Sequence, residues 1–315
     1  MLCPTDGGYR ARMPLVPTIA LLTAMVLWAS SFIALKLAFS AFDPMVVIFF
    51  RMAIGSLCFV LLPKVFSGNT VARGDLKYLG FMVLCEPCLY FLFEAKALVN
   101  TTASQAGMIT AMLPLLVALS AHLYLKETVT RRTIVGFFIA ISGAVMLSLG
   151  AEASPDAPNP LLGNLFEFLA MVCATGYTVV LKQLTARYKP LFLTAVQAFA
   201  GSIFYLPFVF FAPEVFPPGA GFFPVASIIY LGVFVTLGAY GLYNFGVSRI
   251  PASQASAFVN LIPVFTVILG WIILNERFTP VQYLASALVF FGVFLSQDKS
   301  VVLQAEMAME EERLS

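Results

Sequence analysis

Ala103-Ser104-Gln105-Ala106 opens an apolar run that contains Pro114 and closes at Glu127. The same run is written again 149 residues later, as Ala252-Ser253-Gln254-Ala255, Pro263 and Glu276. Thr130/Thr279 and Gly143/Gly292 keep that offset, which makes eight identities in about 40 ungapped positions. One offset held without a gap marks an internal duplication.

What is duplicated is apolar almost throughout. The 315 residues are 60% hydrophobic and 11% charged, with a mean hydropathy of +0.93. A water-soluble domain carries about 25% charged residues, so a soluble protein is excluded. Runs of at least 18 apolar residues recur, each long enough to cross about 30 Å of hydrocarbon as a helix. Ten spans are expected, at 15–39, 44–62, 76–98, 102–125, 132–149, 163–185, 190–212, 223–247, 252–274 and 280–297. The first is too long for a signal-peptide core and lacks a cleavage site. A Pro/Asp/Asn-containing linker, 151–162, separates a first repeat (15–149) from a second (162–297), and a polar tail, 298–315, follows.

Lysine and arginine set the orientation. With the amino terminus inside, inner segments hold 14 of the 18 basic residues, outer segments hold Lys96 and Arg277, and Lys36 and Arg51 lie within spans. That bias places both termini in the cytoplasm. Five spans per repeat is an odd number, so the second copy enters the membrane inverted. The expected fold is therefore all-α and integral to the membrane, with ten transmembrane helices as two five-helix inverted-topology repeats. In such proteins the substrate site lies near the bilayer midplane, where the repeats meet.

Other classes find little support. Basic residues are not interleaved with aromatics, so nucleic acid is not an expected partner. Cys85 and Cys88 form a C-x-x-C inside a span with no second pair or histidine nearby, so no metal or cofactor is expected. Thr279-Pro280-Val281-Gln282 reads as a helix start, and Thr130 caps the matching helix. Gly136, Ala140, Gly143, Gly150, Ala285 and Gly292 read as close helix packing.

Trp28-Ala29-Ser30-Ser31-Phe32, Arg51 and the paired Ala-Ser-Gln-Ala…Pro…Glu blocks resemble the EamA family of the drug/metabolite transporter superfamily, over 15–297 as two EamA repeats. The resemblance implies a ten-helix bundle, a cavity lined by spans 1, 3, 4, 6, 8 and 9, and export of small metabolites such as amino acids across the plasma membrane, the inner membrane of a bacterium. One departure is plain. The first span has no carboxylate, whereas the four-span multidrug relatives couple to protons through a Glu there.

Charges within spans are costly and point to function. Glu86 lies near the middle of span three, with Pro87 behind it, and Glu86, Tyr90 and Glu94 share a helix face. It reads as a cavity acid that binds a substrate amine or cycles a proton, or else as a structural carboxylate paired with Arg51 or Lys36. Arg51 reads as a tie between spans, Lys36 and Lys182 as snorkelling residues, and Glu167 as a solvated residue near the end of span six. Further cavity candidates are Trp28, Ser31, Tyr177, Thr236, Tyr240, Asn244, Ser256 and Asn260; Tyr243 shares the stripe of Thr236, Tyr240 and Asn244, although an interfacial aromatic belt fits it better than it fits Tyr240. Arg51, Gln105, Pro114, Glu127, Gln254, Pro263 and Glu276 are expected in structural or gating roles. The leading expectation is a secondary transporter of small organic metabolites, working in the lipid bilayer as a monomer or homodimer. A carrier of anionic solutes would want basic residues at mid-cavity, a membrane enzyme a catalytic constellation, and a scaffold leaves the inverted repeat unexplained.

Overall fold

The computed structural model describes residues 15–125 and 131–296. Glu127, Thr130 and the tail lie outside the described residues. Ten helical runs follow one another: α1 (Leu15–Phe39), α2 (Pro44–Val60), α3 (Leu76–Val83, Leu84–Leu89 and Tyr90–Asn100), α4 (Ala103–Ile109, Thr110–Met112 and Leu113–Leu125), α5 (Arg131–Leu149), α6 (Pro160–Leu184), α7 (Pro190–Phe211), α8 (Phe222–Tyr230, Leu231–Ala239 and Tyr240–Arg249), α9 (Ala252–Ala257, Phe258–Asn260 and Leu261–Ile273) and α10 (Pro280–Ser296). Among the described residues the only β contact is an isolated bridge, Ser154 to Ala157.

Among the described residues 7 helices, α1, α3, α4, α6, α7, α8 and α9, are long and apolar enough to cross a membrane, which makes this a multi-pass membrane protein. Three apolar helices are shorter: α2, residues Ile134–Leu149 of α5, and α10. At 1.5 Å per residue, 17 residues of α2 reach about 26 Å, just under the hydrocarbon thickness. Large apolar side chains such as Phe210, Phe222 and Phe294 cover the outside, a surface that suits lipid and not water.

Local sequence starts these helices. Asp43 accepts a bond from Met45 N at 2.8 Å with Pro44 at the first helical position. Asn159 does the same for Leu162 N ahead of Pro160. Thr279 and Gln282 form the reciprocal pair expected at the start of α10, with Thr279 N donating to Gln282 Oε1 at 2.8 Å and Gln282 N to Thr279 Oγ1 at 3.3 Å.

The two halves interleave. Helix α5 lies against α10, α2 against α7 and α4 against α9, while α1 packs on α8 and α9, and α6 on α3 and α4. The α5–α10 seam is tight because its residues are small. A Cβ on Gly143 would fall 2.7 Å from Val289 N, and one on Gly292 would fall 2.9 Å from Ala140 Cα.

Helices α3 and α8 each lose regular geometry in mid-course. In α3 the break spans Leu84–Leu89, and Glu86 is extended at φ −148°, ψ 117°. Pro87 has no N–H to give, so carbonyl groups come free, and hydrocarbon offers them no partner. Helix α7 supplies donors: Gln197 Nε2 reaches Glu86 O at 3.2 Å, and the Tyr205 hydroxyl reaches Cys88 O at 2.5 Å. In α8 the corresponding wide turn covers Leu231–Ala239.

Candidate functional site

The α3 break faces a central cavity of about 490 Å³ of non-atom space, open solvent included. Its walls come from α1 (Trp28, Ser31, Phe32), α3 (Glu86, Tyr90, Glu94), α4 (Thr110, Leu113), α6 (Met171, Ala174, Tyr177, Thr178), α8 (Tyr240, Tyr243) and α9 (Val259, Ile262), with Arg51 from α2. A smaller space of about 200 Å³ lies behind Glu86 and Tyr240, lined also by Thr194, Gln197 and Thr236.

Aromatic rings form one side. The Trp28 ring centre is 5.1 Å from that of Tyr240 and 4.7 Å from that of Tyr243, distances typical of attractive aromatic pairs. Charge gathers on the other side. Arg51 is buried, 3.7 Å from Glu94 Oε2, with its guanidinium 4.2 Å over the Phe91 ring and Nε 3.4 Å from Thr236 Oγ1. The Tyr90 hydroxyl donates to Glu94 Oε1 at 3.1 Å, and the Tyr240 hydroxyl faces the Glu86 carboxyl. Mostly apolar and aromatic walls with a few converging polar groups are what small organic ligands use.

Six of the ten cavity candidates meet here: Trp28, Ser31, Glu86, Tyr90, Tyr177 and Tyr240. Thr236 lines the smaller space instead. Asn244 sits outside both, accepting from the Tyr177 hydroxyl and donating to Thr194 Oγ1 at 2.9 Å and Gln197 Oε1 at 3.2 Å. Ser256 turns back on its own helix, donating to Ser253 O at 3.0 Å. Asn260 also lies off the cavity, its Oδ1 buried without a partner.

Two readings are corrected. Tyr243 is no belt residue: it is 1% exposed and lines the cavity, because its face of α8 turns toward α1 and α6. Glu167 is not solvated: α6 begins at Pro160, so this carboxyl is two turns in, and it is 0% exposed. Lys36 reaches a linker carbonyl, Asp156 O at 2.6 Å, and Lys182 reaches carbonyls at the end of α8, Val247 O and Ile250 O, both at 2.9 Å. Gln197 and Thr194 were not singled out; a mid-span amide in α7 was the available signal.

Among the structural candidates, Glu276 is the most firmly placed. Its two oxygens accept from Ala103 N and Ser104 N, both at 2.8 Å, at the start of α4. Beside it, Asn164 donates to Gln105 Oε1 at 3.1 Å and accepts from the Thr101 hydroxyl at 2.9 Å. Pro263 is buried in α9, and Gln254 stays half-buried at its start. Cys85 and Cys88 are buried free thiols.

An apolar multi-helix bundle around a buried, aromatic-walled and charged cavity is built as a membrane transporter. The EamA-like transporter family matches residues 16–149 and 161–297, and the chain belongs to that family, whose members move solutes and are not enzymes. It is 27% identical to YetK, an uncharacterized transporter of Bacillus subtilis, over 98% of this chain and 94% of that one. It is 24% identical to a probable terminal-alkyne amino-acid exporter of Streptantibioticus cattleyicolor, over 88% of this chain and 91% of that protein. A crystal structure at 20% identity shares the fold with a TM-score of 0.65, covering 93% of this chain and 98% of the other.

Proposed function

We propose that this transporter has ten spans in two inverted five-helix repeats and exports small organic metabolites, amino acids or related compounds, by alternating access. In this reading both termini are cytoplasmic, the membrane is the plasma membrane, and the protein works without a cofactor as a monomer or homodimer. The packing supports the repeat. Exchanging each helix of the first half with its counterpart in the second turns the α1–α8 contact into α6–α3, and leaves α2–α7, α4–α9 and α5–α10 unchanged. The breaks in α3 and α8 also fall at matching places, since 84–89 shifted by 149 lands inside Leu231–Ala239.

The observation that carries the substrate class is Glu86, buried on the cavity wall among aromatic side chains. A carboxylate there suits a substrate ammonium group, and Trp28, Tyr177, Tyr240 and Tyr243 suit an apolar side chain. The named amino-acid exporter among the relatives points the same way. An anionic substrate is the weaker reading, because Arg51 already faces Glu94.

Proteoliposome flux of labelled L-phenylalanine and of an amine without a carboxylate tests this. Losing one partner of a buried charge pair costs roughly 2–5 kcal/mol, so Glu86→Gln weakens the apparent affinity for both probes roughly thirtyfold or more. Unchanged affinity in the variant, or a wild type that carries phosphorylated sugars and neither amine, overturns the reading.

A further inference from the structure

Three carboxyl groups and one guanidinium are buried in the middle of the bundle: Glu86, Glu94, Glu167 and Arg51. Two carboxyls have an evident counterpart. Glu94 faces Arg51 and takes a bond from Tyr90, and Glu86 faces Tyr240 and the cavity. Glu167 has neither. It is 0% exposed, it does not line the cavity, and both its carboxyl oxygens lack a hydrogen-bond partner.

Its neighbours do not repair this. Asn164, one turn earlier on α6, is committed to Gln105, Ser148 and Thr101. From α3 the ionisable groups near enough to interact with Glu167 are Glu94 and Tyr90. The other charged residue of that helix end, Lys96, is exposed and lies 5.5 Å over the Phe166 ring. The described side chains of α4, α7 and α9 include no charge, and those of α5 and α8 are charged only at helix ends, Arg131, Arg132 and Arg249. Lys36 of α1 is held at Asp156 O, and Arg51 of α2 is engaged by Glu94. An ion buried without a counter-charge costs several kcal/mol even after relaxation. Two carboxyl oxygens with no donor or further ligand at hand among the described residues suit a proton, which needs no other coordinating atom.

We propose that Glu167 holds the coupling proton of this transporter, at a site adjoining Glu94 and distinct from the cavity where Glu86 meets the substrate. The proposal rests on the transport reading and adds the ion that drives it. With Glu94 facing Arg51, one proton on Glu167 leaves that trio neutral, which suits the closed, apolar bundle. Loading turns the carboxylate into a carboxylic acid with a proton from the aqueous phase on one side. Release returns the same proton to the phase on the other side and leaves one net negative charge, tolerable only while water reaches the site. Binding and release are thereby tied to the opening of the bundle. The coupling role that the sequence offers to Glu86 passes to Glu167, and Glu86 keeps the substrate.

Infrared difference spectra of the purified full chain in lipid nanodiscs read the proton without any substrate. At neutral pH the wild type minus Glu167→Gln spectrum shows the carbonyl stretch of a neutral carboxylic acid. Glu167→Asp keeps that band and shifts it, which covers the case of a glutamine variant that fails to fold. Absence of the band, or an aspartate spectrum identical to wild type, overturns the proposal. In proteoliposomes, an imposed pH gradient multiplies wild-type flux of labelled L-phenylalanine roughly tenfold, within the range that coupling between two ligand sites takes, and in Glu167→Gln that ratio falls to about one. A ratio as in wild type also overturns it. No flux of any probe in wild type counts against the transport reading, and the infrared band then decides the site alone.

Discussion

Helices α3 and α8 hold matching places in the two halves and loosen at matching points, yet only α3 is armed. Glu86, Tyr90 and Glu94 correspond, 149 residues on, to Val235, Ala239 and Tyr243, and Arg51, in the 146-residue register that pairs Pro44 with Pro190 and Gly55 with Gly201, corresponds to Gln197. The breaks are also supported differently. Carbonyls freed in α3 are met by Gln197 and Tyr205 of α7, whereas of the matching residues of α2, Arg51 and Phe59, Arg51 reaches the Thr236 hydroxyl of α8 at 3.4 Å. Both breaks are approached closely: a Cβ on Gly232 would fall 2.6 Å from Ile54 Cγ2, and one on Gly201 of α7 would fall 2.8 Å from Pro87 Cγ. The backbone device occurs in both halves and the carboxyl chemistry in α3 alone.

The largest effect that can break this comparison comes from Arg51. Arg51→Met removes the guanidinium and leaves Glu94 buried without its counter-charge, which costs about 3–5 kcal/mol. Reversible unfolding of the detergent-solubilised protein measures it, and adding Glu94→Gln recovers most of the loss. If the single variant is as stable as wild type, the ion pair does not fasten α2 to α3, and the first half is no more tightly held than the second.

A second comparison, between the starts of α4 and α9, concerns state and not chemistry. Both begin Ala-Ser-Gln-Ala. Ala103, Ser104 and Gln105 are buried, and Glu276 clamps the first two amides. Ser253 is exposed, and Pro251 offers no side-chain cap. Glu127, the counterpart of Glu276 for the start of α9, lies outside the described residues. In exposure, the start of α4 is closed and that of α9 is open, which in the alternating-access reading is a protein facing one way. Hydrogen bonds to a charged group contribute about 1.5–3 kcal/mol, so Glu276→Ala shifts the balance toward opening at α4. On a background lacking the native cysteines, maleimide labelling of Ser104→Cys speeds up roughly tenfold or more, while labelling of Ser253→Cys slows. Rates that do not move show that the clamp is structural only.

What the sequence revealed and what it hid divides along the same line. Helices were legible because span length, proline at the first turn and capping residues are local properties, as at Asp43-Pro44, Asn159-Pro160 and Thr279-Pro280. The acid stripe was legible too, since i, i+4, i+8 spacing puts Glu86, Tyr90 and Glu94 on one face whatever that face meets. Contacts between helices were not. Asn244 was expected to face the cavity, but its amide is taken by Thr194 and Gln197, 50 and 47 residues away. Glu167 read as solvated because position along a span says nothing of which helix covers it, and α3 does. The belt reading of Tyr243 failed for the same reason: one chain's periodicity gives the stripe and not its partner.

The smallest effect sharpens the α3–α8 comparison on its outer side. Gly80 of α3 is exposed, and a Cβ built there meets nothing within 4 Å. The matching residue of α8 is Ile229, itself 52% exposed, so a side chain at this place projects away from the bundle in both halves. Alanine is favoured over glycine in a helix interior by roughly 0.5–1 kcal/mol, because it gives up less backbone freedom on folding. Gly80→Ala therefore raises the unfolding free energy by about that amount and leaves transport of labelled L-phenylalanine as in wild type. A loss of stability in its place means that this face is covered in the membrane, and a second copy of the chain is the partner to look for, by cross-linking through a cysteine at position 80.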